Sequence, residues 1–371
     1  MRHLAVIASL FLSFPLFADT IDFGQAKKYN AFVKEDYLAN SSDVQGRVAV
    51  GGNLNVTSEN SWAGYEIGNK IIDFNMGDGP SLVVGGDINK TGEGHFNIYQ
   101  TATLPNPVMG DVVLGGSING DNVDFESSQV NSTNLPVDFA STFSHLEDLS
   151  KNLSERTAFD AVVHVQDNYL IFQATQNVAP DDNVYVFNVD QRQLTNRYGT
   201  NRTDWFVDVS TMADNATVVF NVTNSTSPAD TVELNQSNIF FKSTDTTRID
   251  PLSAYFNKEF SKTVPPVQVL YNFYGASQLK LNTDLYGGIL APTADIKANS
   301  SNIYGQVIGK SWEGNMQINY NPFATVGKTS TPVPEPRTFI IFAIAFLIMI
   351  SRNTLAEAIS KLRIKQVSGV A

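Results

Sequence analysis

The chain has 371 residues, 42% of them hydrophobic and 17% charged, the make-up of an ordered globular protein. A formal charge of −12 opposes contact with nucleic acid phosphates, so no nucleic acid partner is expected. The absence of cysteine excludes a disulfide framework, a thiolate metal site and a thiol nucleophile.

In chain order, residues 1–18 combine basic Arg2, an apolar run from Leu4 to Phe17 and the small Ala18. This is the pattern of a secretory signal peptide cleaved between Ala18 and Asp19, and the run is too short for a stable membrane span.

Three stretches then repeat one formula: RVAVGGNLNV from Arg47, SLVVGGDINK from Ser81 and DVVLGGSING from Asp111. Val48 and Val50 share one side of a strand, a glycine pair follows, and Leu54 and Val56 resume the alternation. The glycines either turn the chain or let it approach a neighbour closely. A hairpin meander would give the same local pattern.

Between the copies, NSWAGYEIGN holds Trp62 and Tyr65, and TNRYGTNRTDW further on holds Tyr198 and Trp205. These aromatics are the candidate contacts for a sugar or a protein groove. Asp73, Asn75 and Asp78 around FNMGDGPS offer oxygen ligands for calcium without the spacing of an EF-hand loop, and no other cofactor or metal is expected.

The segment PVDFASTFSHLEDLSKNLSERTA changes period. Phe139, Phe143, Leu146, Leu149 and Leu153 form a helical stripe, with Asp138 near its start and Arg156 in its last turn, as the helix dipole favours. A helix of about five turns is expected to cover an otherwise bare sheet.

LYGGILAPTADI from Leu285 and IYGQVIGKSWEG from Ile303 align Tyr286 with Tyr304, Gly287 with Gly305 and Ile289 with Val307. A repeat of about twenty residues is one coil of a parallel β-solenoid. The longer intervals between the earlier glycine pairs are then coils with inserted loops. The fold expected is mainly β, a parallel β-helix with one accompanying helix.

No catalytic set emerges. Three histidines lie outside the leader, His95, His145 and His164, and none has metal-ligand spacing. Carboxylate pairs such as Asp181 with Asp182, or Asp121 with Asp124, are the places to look for a polysaccharide-processing enzyme, but their Asn-rich, turn-like setting suits capping and solvation. The glycine pairs lack the lysine and following helix of a phosphate loop. Ice binding calls for threonine ladders, and the threonines do not recur at one rung position.

At the C-terminus, after a linker at 326–333, Pro334, Glu335 and Pro336 precede an apolar run from Phe339 to Ile350 and then Arg352. The run is short for a bilayer span of about twenty residues. In the basic tail, 353–371, Leu355, Ile359 and Leu362 fall on one helical face suited to a membrane surface.

Residues 334–352 resemble the PEP-CTERM sorting signal. That resemblance implies recognition by an exosortase-type sorting enzyme in Gram-negative bacteria, transient anchoring in the inner membrane and delivery to the cell surface or its exopolysaccharide. The tail beyond Arg352 is longer than the signal usually carries.

From Tyr29 to Phe323 the chain resembles the choice-of-anchor A family, through YNAFVKEDYLANSSDVQGRVAVGGNLNV, DFASTFSHLEDLS, VLYNFYGASQLKL, YGGILAPTADI and YGQVIGKSWEGNMQINYNPF. The resemblance implies a right-handed β-helix of ice-binding-like architecture over 19–325, no catalytic residues, and adhesion to an extracellular polysaccharide or matrix protein.

Overall fold

Val48, Leu82 and Val112 lie side by side in adjacent parallel strands, so the three copies of the glycine formula are neighbouring coils in register. This excludes the meander, whose neighbours would run antiparallel. The structure is a computed structural model that describes residues 21–61, 64–159, 162–164, 169–174, 182–190, 203–213, 216–225, 230–235, 237–242, 248–249, 267–299 and 301–326. All of them fall within one unit, Asp19–Gly327.

Each complete coil carries three short strands, one on each side of a right-handed parallel β-helix. Coil 1 consists of Ala31–Val33, Tyr37–Ala39 and Ser42–Val44; coil 2 of Val48–Val50, Leu54–Thr57 and Gly64–Ile67. Coil 3 is Leu82–Val84, Ile88–Thr91 and His95–Thr101, and coil 4 is Asp111–Leu114, Ile118–Asn119 and Val123–Asp124. The strand Ser127–Gln129 begins a further rung on the first side.

The coils do not stack in sequence order. In the C-terminal half, Val267–Asn272 and Gln278–Leu281 pair with Gly288–Ala298, which pairs with Val307–Gly314. Val307–Gly314 then pairs with coil 1, Ala31 beside Val307 and Tyr37 beside Trp312. The last coil is therefore seated on the first, and coils 2 to 4 extend away on its other side. The expected pairs Tyr286 with Tyr304 and Ile289 with Val307 are in register. The strand from Val162 contains His164, as the alternation suggests.

Alternation along the strands divides the apolar residues between two cores. Val48, Val50, Leu82, Val84, Val112 and Leu114 point into the solenoid. Between them Phe32, Ala49 and Val83 point outward and are equally buried, because the helix Phe139–Glu155 lies over the first side. Phe143, Leu146, Leu149 and Leu153 form its buried stripe, and Phe143 stacks on Phe32 with centroids 5.2 Å apart. Asp138 caps its N-terminus by accepting from Ser141 N at 3.0 Å. Arg156, at its C-terminal cap, pairs with Asp182 at 2.6 Å.

A buried polar row fastens this helix to the sheet. Asn272 Nδ2 donates to Ser150 O and to Asn221 Oδ1, both at 2.8 Å, and Asn221 Nδ2 donates to Leu153 O at 2.9 Å. Asn221 thereby occupies the carbonyl of Leu153, one of the last four of the helix, which have no intrahelical donor, and Asn272 adds a second bond to the helix at Ser150.

The glycine pairs serve close approach. None of Gly51, Gly52, Gly85, Gly86, Gly115 and Gly116 has a left-handed φ. A Cβ on Gly85 would lie 2.0 Å from Gly51 O, and one on Gly115 would lie 2.3 Å from Gly85 O. Coils meet backbone to backbone at this corner. The next residue reinforces the contact: Asn53 N donates to Asp36 Oδ1, Asp87 N to Asn53 Oδ1 and Ser117 N to Asp87 Oδ1, at 2.7 to 2.9 Å.

Both ends of the unit meet beside the helix. Ile21 and Val326 form a two-bond antiparallel bridge, and His145 Nε2 donates to Asp22 O at 2.6 Å.

Candidate binding surface

With the first side under the helix, the second side presents its outward residues to solvent. Alternation places Glu233, Lys280, Lys297, Glu313, Leu38, Asn55, Asn89 and Asn119 in one in-register row across the coils. The row has two chemistries. Over coils 2 to 4 it is uncharged and bonded along its length: Asn89 Nδ2 donates to Asn55 Oδ1 at 3.0 Å, and Asn119 Nδ2 to Asn89 Oδ1 at 2.9 Å. Over the C-terminal coils it is charged.

The charged half opens into a groove of about 730 Å³ at the corner with the first side, where Lys34, Glu35, Lys280, Asp295, Lys297 and Glu313 converge. Lys297 pairs with Glu313 at 3.1 Å, Lys310 with Asp295 at 3.2 Å and with Glu35 at 3.9 Å. Exposed pairs of this kind add little stability, typically about 0 to 1 kcal/mol, so their chief effect is to fix the spacing of charges along the wall. Chemically the surface offers amides, ammonium groups and carboxylates on a rigid parallel lattice, able to hold hydroxyl-rich or charged polymers by many weak contacts.

The aromatic candidates do not form this surface. Tyr65 is inward in the alternation of Gly64–Ile67, 1% exposed, and shares a 2.8 Å hydrogen bond with the Tyr37 hydroxyl. Trp205 is 2% exposed and packs edge-on against Phe220 inside the solenoid. Both are corrected from ligand contacts to core residues, since burial leaves no face for a ligand. Trp62 and Tyr198 lie outside the described residues, as do Ala18, Asp19, Asp181, Pro334, Glu335, Pro336 and Arg352.

The calcium candidate is occupied by its own neighbours. Asp73 accepts from Thr101 Oγ1 and Thr103 Oγ1, both at 2.8 Å, and from Lys70 Nζ at 2.9 Å. Burial pulls its pKa upward, but the bonds from Lys70, Thr103 and Thr101 outweigh that and hold the carboxyl below its usual value. Asn75 takes a left-handed turn conformation, φ 50°. Among the described residues no three His, Cys, Asp or Glu side chains come together as a metal site. Asp124 reaches His95 at 3.3 Å. One threonine pair does stack, Thr91 on Thr57 with hydroxyls 3.3 Å apart, across two coils only.

The charged row went unread in the sequence. Its signal is there: in QLKL, ADIKA and SWEG the charged residue sits between two inward positions. No helix among the described residues is long and apolar enough to cross a membrane.

No functionally curated protein matches the sequence. Among solved structures, an ice-binding protein from the Antarctic ascomycete Antarctomyces psychrotrophicus is 13% identical, with 81% of this chain and 96% of that one covered and a TM-score of 0.33. An ice-binding protein from an Antarctic Biological Consortium is 10% identical over 81% of this chain and 89% of that one, with a TM-score of 0.23. At such scores neither carries weight, and the β-helical architecture rests on the strand pairing itself. Residues 22–320 match the family described as "Putative Ice-binding-like adhesive domain". That match spans most of the chain and covers the solenoid and its helix together, and the chain belongs to this ice-binding-like adhesive family.

Proposed function

We propose that this chain is an exported, non-enzymatic adhesin that binds an extracellular polysaccharide or matrix protein through the second side of its solenoid. The observation that carries this reading is the in-register row from Glu233 to Asn119, at least partly open to solvent along its length and fixed by cross-coil hydrogen bonds and ion pairs. A surface ordered before binding loses little entropy when a repetitive polymer settles on it. The adhesive character of the family supports the same reading.

Delivery follows from the ends of the sequence. The leader directs export, and the Pro334–Glu335–Pro336 motif, the apolar run and Arg352 are read by an exosortase-type enzyme as in PEP-CTERM proteins, leaving the choice-of-anchor A-like unit at the cell surface or in the matrix. Carboxylates that a hydrolase would need free, Asp295, Glu35 and Glu313, are engaged by Lys310 and Lys297.

The test is binding of the full chain, held in mild detergent, to arrays of extracellular polysaccharides and matrix proteins. Saturable binding that Lys280→Glu with Lys297→Glu abolishes is expected. Absence of saturable binding, or release of products from a polysaccharide, would overturn the proposal.

A further inference from the structure

Among the described residues the coil 4 end of the solenoid is unfinished. A fifth rung begins on the first side, where Ser127–Gln129 pairs with Asp111–Leu114 and Ser132 N donates to Leu114 O. On the second and third sides the rung is missing: among the described residues Ile118–Asn119 pairs only with coil 3, and so does Val123–Asp124. Two strand edges are thus left open next to each other. Ile118, Val123 and Phe125 pack on the end of the core while staying partly exposed, and Val108 and Val130, 41% and 47% exposed, lie on adjoining strands and turns.

Proteins commonly guard such edges with lysine or proline. Here neither edge strand contains either, and the sequence has no lysine or arginine from Thr91 to Ser150. The same stretch brings Glu93, Asp111, Asp121, Asp124 and Glu126 to coils 3 and 4. Lys34, Lys280 and Lys297 belong instead to the groove formed by coil 1 and the C-terminal coils, and Lys90 of coil 3 is buried, its ammonium group donating to Thr91 O and Gly92 O.

We propose that this end is a docking site for an extended segment of another protein in which apolar residues alternate with lysine or arginine. The open parallel edges require an extended strand as the occupant, because only backbone in that conformation satisfies them. The half-covered Ile118, Val123 and Phe125 require apolar side chains on its inner face. The acidic rim requires basic ones on its outer face. A second copy of this chain, docking end to end, would bring the same carboxylates against one another.

The experiment uses the full chain in mild detergent and a fluorescein-labelled peptide of about ten alternating valines and lysines, read by fluorescence anisotropy. Saturable binding is expected, with a valine–glutamate peptide weaker by about tenfold or more. Asp121→Asn with Asp124→Asn, both exposed, is expected to weaken binding without altering the thermal transition, and Val123→Lys to abolish it. The proposal is overturned if the valine–lysine peptide does not bind, or if the valine–glutamate peptide binds equally well. Unchanged affinity in the Asp121→Asn, Asp124→Asn variant would also overturn it. A concentration-dependent dimer in sedimentation that Val123→Lys abolishes would assign the end to a second copy and overturn it as well.

Discussion

Ala31 and Val307 begin the first and last coils of the solenoid, and they are direct neighbours in one parallel ladder. Their contact closes the unit in the middle of the stack rather than at an end. Coils 2 to 4 and the C-terminal coils therefore share one seam, and that seam joins their stabilities.

Trp312 is the largest side chain at the seam. It is 2% exposed and stacks on Tyr37 with centroids 5.6 Å apart. Trp312→Ala opens a cavity between coil 1 and the last coil and is expected to cost about 3 to 5 kcal/mol. Chemical denaturation followed by a probe in each half checks this. Both transitions are expected to move together.

The corner glycines distinguish steric from conformational demand. Gly85→Ala would put a Cβ 2.0 Å from Gly51 O, so backbone must shift and the loss is expected to reach about 3 kcal/mol or more. Gly275 has φ +75° and open space around it, so Gly275→Ala is expected to cost only about 1 to 2 kcal/mol from the left-handed backbone. Urea midpoints of the two variants measure the contrast.

Asn272→Leu leaves Ser150 O and Asn221 Oδ1 without their donor in a buried setting. The expected loss is about 2 to 3 kcal/mol. Ser150 Oγ donates to Asn272 Oδ1 at 2.6 Å, so a double-mutant cycle with Ser150→Ala tests this link between helix and sheet, and a coupling energy near zero would show that the side-chain bond does not tie them.

Asp43 predicts a pH dependence. Burial raises its pKa and nearby Glu66 adds to this, while hydrogen bonds from Gln317 and Asn69 and the charge of Lys70 oppose it. The folded state thus keeps the proton to higher pH than the unfolded chain, whose carboxyl titrates near about 3.9. Stability from this group falls as pH rises from the unfolded value through the raised folded one, and stays lower above it. Asp43→Asn should increase stability at pH 7 and flatten that part of the profile, as pH-dependent urea unfolding can read.

The repeat at Leu285 and Ile303 was legible because no insertion interrupts it: Tyr286 and Tyr304, then Ile289 and Val307, fall at equal spacing and pair as read. The helix was legible through its five-residue apolar stripe, broken by nothing. Coil order was not. Ala31 lies between Val48 and Val307, and because inward rows of small aliphatic residues are interchangeable, nothing in them marked the last coil as its second neighbour. Tyr65 and Trp205 were read as surface aromatics from their polar neighbours. The better guide was alternation, since Tyr65 with Ile67 and Trp205 with Val207 mark inward positions.

The stacking of the last coil on the first can be measured by crosslinking, since the chain has no cysteine of its own. Leu38 and Glu313 are outward neighbours in register on adjacent parallel strands, a separation of about 4.8 Å that a disulfide spans. In Leu38→Cys with Glu313→Cys, mild oxidation should form an intramolecular disulfide as readily as in the control pair Asn55→Cys with Asn89→Cys, seen as a mass loss and a gel shift reversed by reductant. Efficient bonding in the control with none between positions 38 and 313 would contradict the closed seam, and with it the solenoid described here.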